Sequence, residues 1–309
     1  MRAHLAVAAA TAAAAVLVAA PGTARAGDGG ALVRYLPERT AEVIVLDISH
    51  ARTGASVDKL VAELRAHSPR WAAVASGGVK LDEAIDMLVA GTTADGEAQA
   101  RHTVMVVDGR VGVLLAGLTT DRSRATKHAG VTIWSIEGGE AAIVDHHLVL
   151  TNAGDMVPTI DRAHRRAAAG PQASVTSLDL IRAILAATAG TGADVWGGTI
   201  LDARDRQFMA QNLEGEPIWV AFAIAVSVRA SLDLRLAVDD EPTARAVETS
   251  LQRLLVGADA QVHPMLQTWI GPEFADSIAI QHERAEVRVT AAMSGDEAEQ
   301  LAHLLENKL

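Results

Sequence analysis

Asp145, His146 and His147 follow directly after the apolar run Ala141–Val144. Carboxylates and imidazoles bind divalent ions such as zinc and manganese, and a bound metal can activate water for hydrolysis. A metal site needs several ligands that converge in space, and this triplet supplies only part of such a set. The triplet is therefore the candidate metal site of the sequence, with no second motif nearby to complete it.

The Asp-His pair resembles the signature of the DHH phosphoesterases, in which an aspartate and a histidine leaving a strand bind a pair of manganese ions. The resemblance implies a metal-dependent, phosphoesterase-like hydrolase that uses Asp145 and His146. That family also carries an earlier strand-borne histidine with a downstream Asp-x-Asp, and no histidine before position 145 has this pattern. The alternative interpretation places Asp145 and His146 in a turn, after which the chain continues into Leu148–Leu150.

Ser56 and Lys59 match the Ser-x-x-Lys motif of exported penicillin-binding proteins and β-lactamases, in which the lysine helps to activate the serine. Those enzymes also carry a Lys-Thr-Gly strand, and none of the other lysines has this context. Serine commonly caps helices, so Ser56 is expected to cap a helix that begins at Val57. No catalytic residue and no cofactor are predicted from these fragments.

The first residues have the order of a secretory signal peptide. Arg2 gives a basic start, Ala3–Ala20 is almost wholly apolar, and Ala24 and Ala26 place small residues before a cleavage site. The apolar stretch is mostly alanine and falls short of the roughly 20 strongly apolar residues that span a membrane. We expect residues 1–26 to be cleaved and the mature chain to be periplasmic or secreted, with no further membrane span.

The composition limits the classes of partner. The chain has no cysteine, which excludes disulfides and thiolate metal sites, and half of its residues are apolar, which suffices for a globular core. Its formal net charge is −11, and no concentrated basic face is visible, so nucleic acid is not expected as a partner. A protein partner and a homo-oligomer both stay open.

The remaining pattern predicts an α+β fold of two similar halves, with mainly antiparallel sheets and helices packed on one face. The expected domains are residues 27–170 and 171–309, separated by a seam at Ala168–Gln172. The segments LVLTNAGDMVPTIDRA and RLAVDDEPTARAVETSL run from strand to helix in the two halves and suggest an internal duplication.

Local signals predict individual elements. Asp239–Glu241 is expected to begin a helix, because acidic residues are favoured there, and not to bind calcium. Ser294 and Glu297 have the spacing of a capping box. Three antiparallel hairpins are predicted: Thr103–Val107 with Val111–Leu115, Val131–Ile136 with Ala141–Leu150, and Ser277–Gln281 with Glu286–Met293.

The layout resembles a group of uncharacterised exported bacterial proteins with two α+β halves. The segments that carry this resemblance are Leu32–Pro37, the valine-rich strand ending in Asp47 and the two strand-to-helix segments quoted above. The resemblance implies a fold and an extracytoplasmic location, and no activity. The preferred hypothesis is a non-enzymatic exported protein that binds a partner or ligand, or has a structural role in the envelope. The alternative is the metal-dependent hydrolase.

Overall fold

The computed structural model describes residues 32–52, 57–93, 102–120, 123–169, 176–188, 192–226, 229–256 and 262–297. The N-terminal unit comprises the described parts of Ala26–Arg52 and Leu60–Arg182, and the C-terminal unit those of Thr53–Lys59 and Ala183–Leu309. The predicted signal peptide, Ser56 and residues 170–175 lie outside the described residues. The domain boundary after residue 170 therefore stays a prediction.

The elements up to Thr188 build a seven-stranded antiparallel sheet with the strand order β1-β2-β3-β7-β6-β5-β4. In chain order they are a 3₁₀ helix (Val33–Tyr35), β1 (Thr40–Asp47), α1 (Ile48–Ala51), α2 (Val57–His67), α3 (Pro69–Ser76), α4 (Leu81–Ala84), β2 (Ile85–Thr93), β3 (Thr103–Gly109), α5 (Val111–Leu118), β4 (Ala125–His128), β5 (Val131–Ile136), β6 (Gly139–Val144), β7 (His147–Thr151), α6 (Met156–Ala169) and α7 (Thr176–Thr188).

The core of the N-terminal unit lies between this sheet and its helices. Helix α5 contacts β6 and β7, and α6 contacts β6 and the 3₁₀ helix. Every residue of β7 from Leu148 to Thr151 is buried. Because successive side chains of a strand point to opposite faces, the centre of this sheet is covered on both sides. Trp71, Leu114 and Ile160 are fully buried among these elements.

The predicted hairpin between Thr103–Val107 and Val111–Leu115 is wrong, because the second segment is helix α5. The chain leaves the sheet at Gly109, whose φ of +135° suits glycine and whose added Cβ would lie 2.3 Å from the carbonyl oxygen of Ala84. The amide of Arg110 then donates to that same carbonyl at 2.8 Å. Helical spacing is present in the apolar positions Val111, Leu114, Leu115 and Leu118.

The second predicted hairpin is correct in its first strand and turn, since β5 pairs with β6 across Gly138-Gly139. The prediction that its second strand runs without a break is wrong. Residues Ala141–Leu150 do not form one strand, because a two-residue turn at Asp145-His146 divides them between β6 and β7, which pair with each other.

The C-terminal unit has a five-stranded antiparallel sheet in the order β11-β12-β10-β9-β8. One face packs against helices in an apolar cluster that includes Leu236, Val247 and Phe274. In chain order the elements after Thr188 are β8 (Val195–Ile200), α8 (Ala203–Leu213), β9 (Trp219–Val226), β10 (Ala230–Ala237), α9 (Glu241–Leu255), α10 (His263–Trp269), α11 (Pro272–Ser277), β11 (Ala279–Glu283) and β12 (Glu286–Met293).

Several local predictions are confirmed in this unit. Strands β11 and β12 form the predicted third hairpin. The carboxylate of Asp240 accepts a hydrogen bond from the amide of Thr243 at 2.8 Å, so the acidic cluster begins helix α9 as expected. Ser294 and Glu297 bond reciprocally to each other's amides at 3.3 and 3.0 Å, which is the predicted capping box.

The predicted α+β class with mainly antiparallel sheets is confirmed. Among the described residues, no helix is both long enough and apolar enough to cross a membrane.

Candidate functional site

Asp145 and His146 form the two-residue loop of the β6–β7 hairpin. Val144 pairs with His147 across the loop, and the φ angles of Asp145 and His146 are +47° and +72°. Two successive left-handed residues are typical of a type I′ turn, the favoured geometry for a two-residue hairpin loop. The alternative interpretation of this motif, a turn leading into Leu148–Leu150, is therefore what the structure contains.

The neighbours of the triplet do not complete a metal site. The Asp145 carboxylate lies 3.3 Å from the Arg34 guanidinium, which also donates to the Tyr35 hydroxyl at 2.8 Å. His146 is exposed. Within the part of the chain that the structure describes, no three His, Asp or Glu side chains are placed to hold a metal ion. The donor set that the DHH resemblance implies is not assembled around Asp145 and His146.

His147 belongs to a different environment from the other two residues. Its ring packs edge-on against Tyr35, with centroids 5.8 Å apart, and its Nδ1 lies 3.8 Å from the carboxylate of Asp108, too far for a hydrogen bond. Burial lowers the pKa of His147 below its ordinary value, although the Asp108 charge opposes this shift. Burial beside the 3₁₀ helix therefore favours the neutral form of this imidazole.

The polar groups of the N-terminal unit converge elsewhere, at one edge of the sheet. Thr40 at the start of β1 pairs with Thr93 at the end of β2, and Val104 near the start of β3 pairs with Thr151 at the end of β7. Antiparallel pairing therefore brings four distant segments to the same edge. They form an open cleft of about 320 Å³, here called the α6 cleft, lined by Pro37, Glu38, Arg39, Thr93, His102, Val104, Asp155, Pro158, Thr159 and Arg162.

A histidine–carboxylate pair stands on one side of the α6 cleft. Nδ1 of His102 lies 2.7 Å from a carboxylate oxygen of Asp155, and both side chains are partly exposed. The amide of His102 donates to the Thr93 hydroxyl at 3.3 Å, and the Thr159 hydroxyl donates to the Asp155 carbonyl at 2.7 Å. These bonds fix the positions of His102 and Asp155 relative to β2 and α6.

Helix α6 also contributes arginines, of which Arg162 lines the cleft. The guanidinium of Arg162 donates through Nε and Nη2 to the carbonyl of Tyr35 at 3.2 and 3.0 Å, and through Nη2 to the Thr159 hydroxyl at 3.0 Å. One helical turn later, Nη1 of Arg166 donates to the carbonyls of Val33, Arg34 and Leu36. Helix α6 thereby holds the N-terminal segment that forms one wall of the cleft.

Partial burial disfavours the positive charge of Arg162 and Arg166. Burial lowers the pKa of Arg162, and burial together with the charge of Arg162 lowers the pKa of Arg166 to about 10. Neither side chain has a carboxylate within ion-pair distance among the described residues, and exposed Arg39 makes no hydrogen bond or ion pair there either. The guanidinium groups of Arg39 and Arg162 in the cleft are therefore not engaged by any carboxylate of the described chain at ion-pair distance.

None of the polar residues of this cleft was predicted from the sequence as part of a site. His102 and Asp155 are 53 positions apart, and each is isolated in the sequence. The available signal was the basic segment Arg162–Arg166, which is unusual in a chain with a net charge of −11. Chemically, the cleft combines cationic donors, carboxylate acceptors and two hydroxyls, and no serine or cysteine is among its lining residues.

Comparison with known proteins shows a similar fold among solved structures but does not assign the chain to a family. The chain matches no protein-family model, and no curated protein matches it significantly. It is similar to the solved structure of crystal form III of TP0453, with a TM-score of 0.51 and 11% identity over 89% of this chain and 97% of that chain. Crystal forms IV and I of TP0453 align with TM-scores of 0.49 and 0.48. At this identity the likeness shows a shared fold alone.

Proposed function

We propose that this chain is an exported, non-enzymatic binding protein that takes a small polar ligand into the α6 cleft. The observation that carries the proposal is the convergence of Arg39, His102, Asp155 and Arg162 on one open cleft at the edge of the sheet. Concave sites with a few convergent polar groups are where small molecules bind. The volume of the cleft lies at the lower end of the range for such sites.

Binding accounts for the arrangement better than catalysis does. A histidine–carboxylate pair can orient a general base, but nucleophilic catalysis also needs an activated nucleophile within reach. The two hydroxyls in the cleft lining are engaged in other bonds, Thr93 with the amide of His102 and Thr159 with the carbonyl of Asp155. The hydrolase alternative depends on Asp145 and His146, which lie in a hairpin turn and lack further ligands among the described residues.

Export is proposed from the leader alone. Arg2, the apolar run Ala3–Ala20 and the small residues Ala24 and Ala26 have the order of a cleavable signal peptide. Secretion from a bacterial host should release a mature protein that begins at Gly27, and N-terminal sequencing checks this. A mature protein that still starts at Met1 would contradict the export proposal.

Ligand binding is tested by thermal shift and calorimetry with the mature protein. The probes are acetate, succinate, inorganic phosphate, succinamide and glucose at millimolar concentration. A ligand that binds only the native state raises its stability by mass action. We expect at least one probe to raise the melting temperature and to release or absorb heat in a saturable manner.

A matched pair of variants locates the binding. Pro158 lines the cleft and is exposed, whereas its neighbour Val157 is exposed and is not among the lining residues. Pro158→Phe should fill the cleft and abolish the response to the probe, and Val157→Phe should leave it intact. Binding that survives Pro158→Phe, or the failure of every probe to bind, would overturn the proposed function.

A further inference from the structure

The α6 cleft is lined by two arginines, Arg39 and Arg162, and by two carboxylates, Glu38 and Asp155. Asp155 is committed to His102 at 2.7 Å, and Glu38 lies exposed with no cation within ion-pair distance among the described residues. No carboxylate lies within ion-pair distance of Arg39 or Arg162 in the same part of the chain, although the more distant charges of Glu38 and Asp155 act favourably on Arg162.

The hydrogen bonds of Arg162 leave one nitrogen available. Its Nε and Nη2 are engaged with Tyr35 and Thr159, and its Nη1 makes no hydrogen bond among the described residues. Nη1 is not among the side-chain nitrogens that are buried without a partner, so solvent reaches it. Arg39 lies exposed at the same cleft with its whole guanidinium fork free within the described chain.

Positive charge beside the cleft is also partly desolvated. Arg166, one turn along α6 from Arg162, uses its Nη1 for three backbone carbonyls, and its Nη2 is buried without a hydrogen-bond partner among the described residues. Desolvated cations that repel one another gain from a nearby anion, because the local dielectric is lower than that of water. Planar guanidinium groups bind carboxylates and phosphates through paired, charge-assisted hydrogen bonds.

We propose that the α6 cleft recognises a small molecule by an anionic oxyacid group, a carboxylate or a phosphate, which the guanidinium groups of Arg39 and Arg162 hold. The inference rests on the proposed function and names its ligand class. The acceptors Glu38 and Asp155 then face the uncharged remainder of the ligand, where they accept hydrogen bonds from hydroxyl or amino groups.

The test compares anionic probes with a neutral probe of the same shape. Dissociation constants for succinate and succinamide are measured by calorimetry on the wild-type protein and on Arg39→Gln and Arg39→Lys. We expect succinate to bind more tightly than succinamide, and Arg39→Gln to weaken succinate at least about tenfold while changing succinamide less than about twofold. Arg39→Lys keeps the charge and should retain part of the affinity.

Competition with inorganic phosphate and with acetate distinguishes a phosphate ligand from a carboxylate ligand. The probe that carries the preferred group should displace succinate at the lower concentration. Arg245→Gln, which removes an exposed arginine from α9 in the other unit, is the control and should leave all constants unchanged. Arg39 is exposed and makes no hydrogen bond or ion pair within the described residues, so its replacement should also leave the urea midpoint unchanged.

The possible failures are distinguishable. If succinamide binds as tightly as succinate and Pro158→Phe removes both, the anion assignment is wrong and the proposed function stands. If Arg39→Gln leaves succinate binding unchanged, the assignment to Arg39 is wrong. If neither the anionic nor the neutral probes bind, the inference and the proposed function fall together.

Discussion

Replacing Arg166 with methionine removes one of the two arginine side chains through which α6 bonds the N-terminal 3₁₀ helix. Two of its hydrogen bonds, to the carbonyls of Arg34 and Leu36, are 2.8 Å long, and the third, to Val33, is 3.4 Å. Each short bond to a charged donor contributes about 1.5 kcal/mol at the lower end of measured values. The methionine keeps most of the apolar contact of the arginine stem.

Losing the charge offsets part of this cost. Burial and the charge of Arg162 lower the pKa of Arg166 to about 10, so the cation is held at a penalty that methionine relieves. The side chain is half-buried, and solvent screening keeps this relief near 1 kcal/mol. The expected net change is therefore a loss of about 2 kcal/mol in the free energy of unfolding.

Urea unfolding followed by tryptophan fluorescence measures this change, because Trp71 is fully buried in the N-terminal unit. Amide hydrogen exchange should also show faster exchange at residues 33–36. Arg165→Met is the control, since Arg165 is exposed on the same helix and makes no hydrogen bond within the described residues. If Arg166→Met is as stable as the wild type, the desolvation penalty equals the gain from the carbonyl contacts and the tethering argument fails.

Three further predictions concern the glycine before α5 and the Asp-His-His triplet. Gly109→Ala should lower the free energy of unfolding by at least about 2 kcal/mol, because φ is +135° at this residue and the added Cβ would meet the Ala84 carbonyl. Gly112→Ala should raise the free energy of unfolding by about 0.5 kcal/mol, because the residue lies inside α5 and an added Cβ there meets nothing within 4 Å. Equal effects of the two substitutions in urea unfolding would contradict the placement of α5. Burial lowers the pKa of His147, so the unfolded state takes up a proton at this residue first, and stability should fall as the pH drops below about 6.5. His147→Phe should reduce this loss, as urea midpoints measured across pH 5 to 7.5 will show. His146→Gly should raise the free energy of unfolding by up to about 1 kcal/mol by relieving a left-handed residue and should not change manganese or zinc binding; loss of a stoichiometric metal in this variant would instead support the hydrolase alternative.

The sequence predicted local structure correctly where a contact between residues a few positions apart determines that structure. The cluster Asp239–Glu241 was read correctly because helix capping depends on residues a few positions apart. The segment Val111–Leu115 was misread because a short apolar run fits a strand or a buried helix equally well. The choice between strand and helix depends on the close approach of Gly109 to Ala84. This contact joins two separate segments, and the spacing of apolar residues within one segment gives no information about it.

The candidate site could not be found in this way, since none of its residues has a local partner. His102 and Asp155 meet only because β3 pairs with β7 in one register, and only four residues separate the end of β7 from the start of α6. A shift of one residue in that register would turn the side chains to the opposite face. The Asp145–His147 triplet was conspicuous because its residues adjoin in sequence, and a hairpin turn explains it.

The two strand-to-helix segments that suggested a duplication differ in one informative respect. In the C-terminal unit, Asp240 uses its carboxylate to cap α9 through the amide of Thr243. In the N-terminal unit, the position that corresponds to Thr243 is Pro158, which has no amide hydrogen for the carboxylate of Asp155 to accept. The amide of Met156 at the start of α6 donates to the carboxylate of Glu140 in β6 at 3.0 Å, and the carboxylate of Asp155 lies 2.7 Å from His102. The carboxylate that caps a helix in the C-terminal unit thus lines the α6 cleft in the N-terminal unit, where it pairs with His102, and this difference supports the proposal of a binding site there.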